Sequence, residues 1–447
     1  MHKKHNAFTR QRAKTYHYII GGFLLLILFG AILLSMPFSS TANESTPFID
    51  SLFTSVSATC VTGLVVKDTA THWSLFGQIL ILIMIQIGGM GVITLALGLI
   101  ITSGRKIGLW ERSTMQEIIA APRMGGIIRL TGHTIKMIVI FELCGALLLL
   151  PRFIDDFGVL NGIWYSLFHA VSAFCNAGFD LMGIRGQFSS LTSYYADIYV
   201  NVIIMALITI GGIGFITWDD IRRNKLRFKR YTLQSKIIII TSLVLVILPA
   251  AYFFVFDFKN LPAGQRLTVS LFQSVTCRTA GFNTADLRHM DDSGNFIMII
   301  LMLIGGSPGS TAGGLKTTTI ATLFLAAIAV FSRRSSVRVL DRSLTNETVR
   351  NAGAILFLYM TFFIGGAIII SKVDDLPLLD CLFETASAIG TVGLTLGITS
   401  TLSAVSKIIL MILMFLGRVG VLTLIYATVP AADDQLLKYP NEKIAIG

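Results

Sequence analysis

The chain alternates long apolar stretches with short polar ones. Crossing the hydrocarbon core of a bilayer takes about 20 residues of helix, and eight stretches approach or exceed that length. They are Tyr18–Met36, Trp73–Thr102, Thr134–Leu150, Ile198–Trp218, Ile237–Phe256, Phe296–Phe331 (interrupted by glycine and proline), Ala352–Ser371 and Ile408–Val429. The pattern predicts an all-α integral membrane protein with eight transmembrane spans.

The polar segments between the stretches predict the orientation. Segments assigned to one side carry 25 Lys and Arg residues and those on the other side carry 8. Basic residues concentrate on the cytoplasmic side, so we expect a multi-pass protein of the cell membrane with both termini in the cytoplasm. The net charge of +11 therefore reflects the orientation of the protein in the membrane. A nucleic-acid-binding protein would need its basic residues clustered on a soluble face, so this class of function is excluded. The basic segment 219–236 favours contact with anionic lipids.

Four segments between the stretches are copies of one another. They are SLFTSVSATCVTGL (51–64), SLFHAVSAFCNAGF (166–179), SLFQSVTCRTAGF (270–282) and CLFETASAIGTVGL (381–394). A second glycine motif follows each copy, as IGGMG (87–91), IGGIG (210–214), IGGSPG (304–309) and LGRVG (416–420). Two motifs in the same order four times indicate an internal repeat.

The repeated segments are too short to cross a bilayer. Ile49–Thr59 and Leu378–Ile389 would reach only halfway, and Pro47 and Pro377 stand where proline opens a helix. Each copy therefore predicts a pore helix that enters the membrane and ends at a glycine loop. The predicted fold is four helix–pore-helix–helix repeats around a pseudo-fourfold pore. Its parts are repeat 1 (1–103), an interfacial linker (104–130), repeat 2 (131–223), repeat 3 (224–335) and repeat 4 (336–447).

The glycine loops carry few acidic residues, which favours coordination by backbone carbonyls. A carbonyl ring can replace the hydration shell of a cation, and glycine permits the backbone angles that aim carbonyls inward. The predicted ion site, with a monovalent cation at the carbonyls of its glycines, comprises Thr62, Gly63, Ala177, Gly178, Ala280, Gly281, Val392 and Gly393.

With these four loops, the sequence resembles the Trk/Ktr/HKT superfamily of potassium transporters, and most closely its KtrB-type bacterial subunit. The resemblance implies a potassium-conducting pore with Gly63, Gly178, Gly281 and Gly393 as its selectivity filter. It also implies a homodimer on a cytosolic, nucleotide-binding RCK-type ring. The break at 305–319 would be an intramembrane gate, paired with a basic residue of the last span. The gate residues are Gly305, Gly306, Gly309, Gly313, Gly314, Lys316 and Arg418.

Two other classes of function compete with a pore subunit. One is a secondary cation transporter coupled to sodium or protons, although such transporters often have two-fold repeats. The other is an intramembrane hydrolase at Ser307, which lacks the acid and base partners of that motif. We therefore expect no enzyme activity and no cofactor in this chain, with potassium as substrate. His169 and Glu142 are interpreted as structural residues inside the membrane, with proton relay and ion coupling as the respective alternatives.

Overall fold

The computed structural model describes residues 2–91, 108, 126–225, 227–334, 336–340 and 342–428. These ranges contain the helices α1 (His2–Ser35), α2 (Phe48–Thr59), α3 (Leu75–Met90), α4 (Ile127–Phe157), α5 (Val159–Cys175), α6 (Ile198–Gly212), α7 (Phe215–Asn224), α8 (Leu233–Val255), α9 (Ala263–Thr276), α10 (Asp292–Leu303), α11 (Thr317–Phe331), α12 (Asn346–Val373), α13 (Leu378–Gly390), α14 (Ala404–Val419) and α15 (Val421–Thr428). Strands β1 (Arg338–Val339) and β2 (Arg342–Ser343) form an antiparallel pair.

The helices α1, α4, α8 and α12 are the long apolar ones. Each contains a window apolar enough to cross a membrane, and at most 28% of that window is buried within the chain. Apolar side chains therefore cover their outer surface, as with Leu25 and Leu248, which are 71% and 66% exposed. Such a surface is typical of helices that face lipid in a membrane. The helix α4 begins inside the predicted linker 104–130, of which only residues 108 and 126–130 lie within the described part.

A half-length helix follows each long one. These are α2, α5, α9 and α13, and the aligned phenylalanines Phe53, Phe168, Phe272 and Phe383 are fully buried in them. Pro47 and Pro377 precede the first helical residue as N-caps, so placing them at the first helical position was wrong by one residue. Their fixed φ and missing N–H suit that junction equally well.

The next helix of each set is α3, α6, α10 or α14. Helices α3, α6 and α14 end inside the second glycine motif, and α10 ends just before it. Gly91, Gly214 and Gly420 have φ of +83°, +97° and +90°, outside the range of a right-handed helix. The predicted spans Ile198–Trp218 and Ile408–Val429 are therefore not single continuous helices, and α6 meets α7 at 98°. Among the described residues, four helices are long enough to span alone, or five with that bent pair. Eight spans thus stay a prediction.

The four sets of helices pack in a closed ring. The third helix of each set contacts the half-length helix of the next set: α3 packs on α5, α6 on α9, and α10 on α13. The last helix, α14, returns to α2 and closes the ring. The loops that follow the half-length helices are thereby brought together around one axis.

Candidate functional site

Each half-length helix ends in the same backbone conformation. The residue two positions before the aligned glycine has φ between +52° and +70°, at Val61, Asn176, Thr279 and Thr391. The next N–H turns back onto the helix, as in the 2.8 Å bonds from Thr62 N to the Ser57 carbonyl and from Val392 N to that of Ser387. This is the left-handed ending that commonly terminates helices.

The four aligned glycines lie against one another in a ring, which we call the glycine ring (Gly63, Gly178, Gly281 and Gly393). Their φ values are +94°, +68°, +80° and +95°. A β-carbon on Gly63 would lie 3.1 Å from the Cα of Gly178, and one on Gly178 would lie 2.9 Å from that of Gly281. A β-carbon on Gly281 would in turn lie 3.2 Å from the Cα of Gly393. One on Gly393 would lie 2.9 Å from that of Gly63.

The preceding residues complete this site. A β-carbon on any ring glycine would meet the carbonyl oxygen of the residue that precedes the next ring glycine. For Gly63, Gly178, Gly281 and Gly393 in turn, these carbonyls belong to Ala177, Ala280, Val392 and Thr62. All eight residues predicted for the ion site are therefore brought together. Both the positive φ and the neighbouring backbone exclude a side chain at the four glycine positions.

Hydroxyl groups that the sequence analysis overlooked hold the ring from behind. Ser57 and Ser387 accept hydrogen bonds from the N–H of Gly63 (3.1 Å) and Gly393 (3.0 Å). In the other two copies the hydroxyl is a donor. Ser172 donates to the Phe179 carbonyl (2.7 Å) and Thr276 to that of Phe282 (2.6 Å). The available signal was a hydroxyl residue at one aligned position of all four copies.

A non-helical segment (304–316), here called the crossing loop, joins α10 to α11. Residues 317–319 of the predicted gate are helical instead. Three backbone bonds fasten the loop to the second glycine motif of the second copy. They are Ser307 N to Gly212 O (3.1 Å), Thr311 N to Gly211 O (3.3 Å) and Phe215 N to Gly309 O (2.7 Å).

The crossing loop also reaches the other copies. Gly314 N donates to the Gly417 carbonyl at 3.3 Å. Gly313 packs so closely against Thr391 that a β-carbon would lie 3.0 Å from the Thr391 Cβ. Gly305 packs in the same way on Gly314, and Gly306 on Ala312. The close packing explains why glycine recurs along this loop.

Two cationic side chains bind backbone carbonyls in this region. Arg418 donates to the carbonyls of Thr311, Gly88 and Gly89, the last at 2.9 Å. Lys316 donates to the Ala312 carbonyl at 2.7 Å. Arg418 takes the place that glycine has in the other second motifs, and it links the loop to the first and fourth copies. The seven residues predicted for the gate therefore belong to one connected structure.

A cavity of about 800 Å³, the vestibule, opens on the opposite side of the glycine ring. It is lined by the four ring glycines and by the residues after them, including Val65, Asp180 and Thr395. The crossing loop instead contacts Thr391 and the Phe174 carbonyl, which precede the ring glycines in the chain. The ring thus separates an open vestibule from a segment that lies across its other face.

Two buried polar residues outside the ring have tertiary hydrogen bonds. His169 Nδ1 lies 2.7 Å from the Tyr165 carbonyl, and its Nε2 accepts from Leu181 N at 3.3 Å. Glu142 accepts from Gln86 Nε2 at 3.1 Å. These contacts agree with the structural interpretation, while proton relay and ion coupling stay untested.

Comparison with known proteins gives one family. The family described as TrkH, cation transport protein, matches residues 2–437. The potassium/sodium uptake protein NtpJ of Enterococcus hirae is 38% identical over 449 residues, covering 98% of each chain. The Ktr system potassium uptake protein B of Bacillus subtilis is 37% identical, covering 95% of each chain. The crystal structure of the potassium transporter TrkH from Vibrio parahaemolyticus has the same fold, with a TM-score of 0.71 at 18% identity, covering 92% of this chain and 85% of that one.

Proposed function

The chain belongs to the TrkH family of cation transport proteins, and we propose that it is the potassium-conducting pore subunit of a potassium uptake system. The relatives NtpJ and Ktr protein B are both named for potassium uptake. The observation that carries the proposal is the closed glycine ring, in which each glycine faces a carbonyl of the next loop. A family of cation transporters also accords with the expectation that the chain is not an enzyme.

In this proposal the ring selects the ion through carbonyl coordination. An entering potassium ion exchanges its water ligands for the carbonyl oxygens of Thr62, Ala177, Ala280 and Val392 and of the ring glycines. The half-length helices act as pore helices, and their negative C-terminal ends point toward the ion. The hydroxyls of Ser57 and Ser387 fix the glycine N–H groups, so the backbone keeps its shape when the ion leaves.

The crossing loop is the proposed gate. It lies across the face of the ring opposite the vestibule and carries Lys316, with Arg418 bonded to it. Two positive groups in a medium of low dielectric repel a cation strongly, so conduction requires the loop to move aside. It is held by a few backbone hydrogen bonds, each contributing about 0.5–1.5 kcal/mol, and by the side-chain bonds of Arg418 and Thr311. Regulation can therefore release the loop without unfolding the ring.

The remaining architecture is proposed on the same basis. Eight spans with cytoplasmic termini would place the vestibule outside the cell and the crossing loop toward the cytoplasm. The names of the Ktr relatives denote systems, which supports partner subunits. We propose a homodimer on a cytosolic RCK-type ring, surrounded by membrane lipids. Reporter fusions at residues 225 and 340 should report the cytoplasm and those at 155 and 290 the exterior; an exterior signal at 225 would contradict this topology.

A second candidate is a cation transporter coupled to sodium or protons. The name of NtpJ includes sodium as well as potassium, which is the observation in its favour. The experiment uses purified protein in sealed liposomes under a potassium gradient, without sodium and at equal pH. Potassium flux under these conditions supports a pore. Flux that appears only with a sodium or proton gradient supports the coupled transporter instead.

A further inference from the structure

The position two residues after each ring glycine has a common structure in three copies. Asp180 Oδ1 accepts from Met182 N (2.9 Å) and Asn283 Oδ1 accepts from Ala285 N (3.1 Å). Thr395 Oγ1 accepts from Gly397 N (2.8 Å) in the same way. The first copy has Val65, which has no side-chain oxygen. All four residues line the vestibule directly above the glycine ring.

The four aligned positions differ in charge, and a further carboxylate, the buried Glu384, accepts from the hydroxyl of Thr395. Among the four aligned positions, only Asp180 is ionisable, and it follows Gly178 by two residues. The Ser190 hydroxyl accepts from Asn283 N at 3.0 Å. Burial raises the pKa of the Asp180 carboxyl, and its interaction with Ser190 offsets part of that rise. Asp180 and Asn283 are thereby held on adjacent loops of the vestibule wall.

The other acidic residues of the vestibule have different positions and partners. Asp68 accepts from Ala70 N and Thr71 N at 3.0 Å and from Phe188 N at 2.9 Å, which ties the first loop to the second. Asp286 accepts from Arg288 N at 3.1 Å and contacts His289, with its side chain 60% exposed. Asp257 packs against the first turn of α10 at Gly294, away from the ring positions, and its carboxylate oxygens have no hydrogen-bond partner among the described residues.

An independent feature of the same wall also suits a cation. Thr284 lines the vestibule next to Asn283 and is 2% exposed, and its hydroxyl has no hydrogen-bond partner among the described residues. A buried hydroxyl without a partner costs free energy unless water or an ion satisfies it. The wall beside Asp180 therefore combines one carboxylate with amide and hydroxyl oxygens, which are ligands of hard cations.

We propose that the Asp180 carboxylate, with the oxygens of Asn283 and Thr284, forms a loading site that holds a partly hydrated monovalent cation in the vestibule before it enters the glycine ring. This inference rests on the proposed conduction of potassium and adds a second, less selective site to it. A carboxylate in the wall of the vestibule attracts potassium and sodium alike, so the site raises local ion concentration while the ring selects.

The test measures potassium uptake against external concentration in Asp180→Asn, Asn283→Asp, the double variant and Asp286→Asn. Asparagine retains the acceptor for Met182 N, so Asp180→Asn preserves the turn. We expect the half-saturating potassium concentration to rise about threefold or more in Asp180→Asn, with maximal rate and potassium-over-sodium preference unchanged. The double variant returns the carboxylate to the aligned position and should restore the wild-type value, whereas Asp286→Asn should change it far less.

Three results would overturn the loading site. They are an unchanged half-saturation in Asp180→Asn, an equal effect of Asp286→Asn, and a double variant that stays at the level of Asp180→Asn. If Asp180→Asn does not reach the membrane, the single variant Asn283→Asp tests the proposal. Its added carboxylate should lower the half-saturating potassium concentration, and an unchanged value would overturn the loading site. Absence of potassium uptake by the wild-type protein in every condition would instead contradict the proposed function.

Discussion

The glycine ring and the second glycine motifs differ in how far the four copies agree. In the ring, every copy has a left-handed residue two positions before a glycine of positive φ. At the second motifs the copies diverge: the third opens into the crossing loop and the fourth has Arg418 in place of a glycine. An ion must be surrounded from all sides, which favours equivalent loops. A gate needs a single movable part, which favours one exceptional copy.

The largest expected effect is the loss of ion selectivity when a glycine of the symmetric region, the glycine ring, is replaced. Serine at Gly63 or Gly393 meets both a disfavoured φ and the backbone of the next loop. We expect the preference for potassium over sodium to fall about a hundredfold, which corresponds to about 2.7 kcal/mol. Gly91→Ser is the matched control, because Gly91 also has a positive φ (+83°) but lies outside the ring. Wild-type selectivity in both ring variants would contradict the assignment of the site.

Altering the asymmetric region, which is the crossing loop with Arg418, should change the rate of cation flux. Removing residues 306–314 deletes most of the crossing loop, and replacing Arg418 by Ala breaks the bonds that join the loop, at the Thr311 carbonyl, to the carbonyls of Gly88 and Gly89. We expect cation flux in liposomes to rise about tenfold, since release of a barrier of about 1.4 kcal/mol suffices for that. Arg333→Ala removes an exposed cation beyond the end of α11 and serves as control. Unchanged flux with normal protein in the membrane would argue against gating.

The hydroxyls behind the ring divide its four copies into two pairs. Ser57→Ala or Ser387→Ala leaves a glycine N–H without its acceptor, at a cost of about 1–3 kcal/mol. Ser172→Ala only removes a donor from a carbonyl, and unpaired carbonyls are better tolerated. We expect Ser57→Ala and Ser387→Ala to lower thermal stability and selectivity more than Ser172→Ala does. Equal losses of melting temperature in the three variants would mean that these bonds do not set the ring geometry.

The smallest expected effect is on pH dependence. Burial, together with the negative charge of Asp68, raises the pKa of Asp180 from 3.8 to about 7. The carboxylate is ionised above that pH and loses its charge as pH falls through it. Half-saturation for potassium should therefore rise about twofold to threefold between pH 8 and pH 6 in the wild type. It should stay flat over this range in Asp180→Asn; a wild-type curve of the same flat shape would contradict the role of the carboxylate.

Sequence reasoning reached the symmetric region more easily than the asymmetric one. Gly63, Gly178, Gly281 and Gly393 were found because their spacing from a buried phenylalanine repeats. The helix breaks at Gly91, Gly214 and Gly420 were missed, because apolar residues continue past each of them and the hydropathy pattern does not register φ.

Other features of the site depend on backbone geometry that residue type hides. Val61 and Thr391 adopt a left-handed conformation that β-branched residues rarely take, and tertiary packing imposes it. The direction of each hydroxyl bond behind the ring likewise follows from the loop path, since Ser57 accepts where Ser172 donates. The vestibule arises from loops of four copies and has no local signature in any one of them.

The central claim is that the glycine ring selects the ion and the crossing loop controls the rate. The ratio of potassium flux to sodium flux tests this claim most directly. Potassium and sodium fluxes are measured in the same liposomes for the wild type, the deletion of 306–314, and the deletion combined with Gly63→Ser. We predict that the deletion raises both fluxes and leaves their ratio at the wild-type value, while the combined variant loses the preference for potassium. A deletion that itself abolishes the preference would contradict the account, because selection would then depend on the crossing loop and not on the glycine ring.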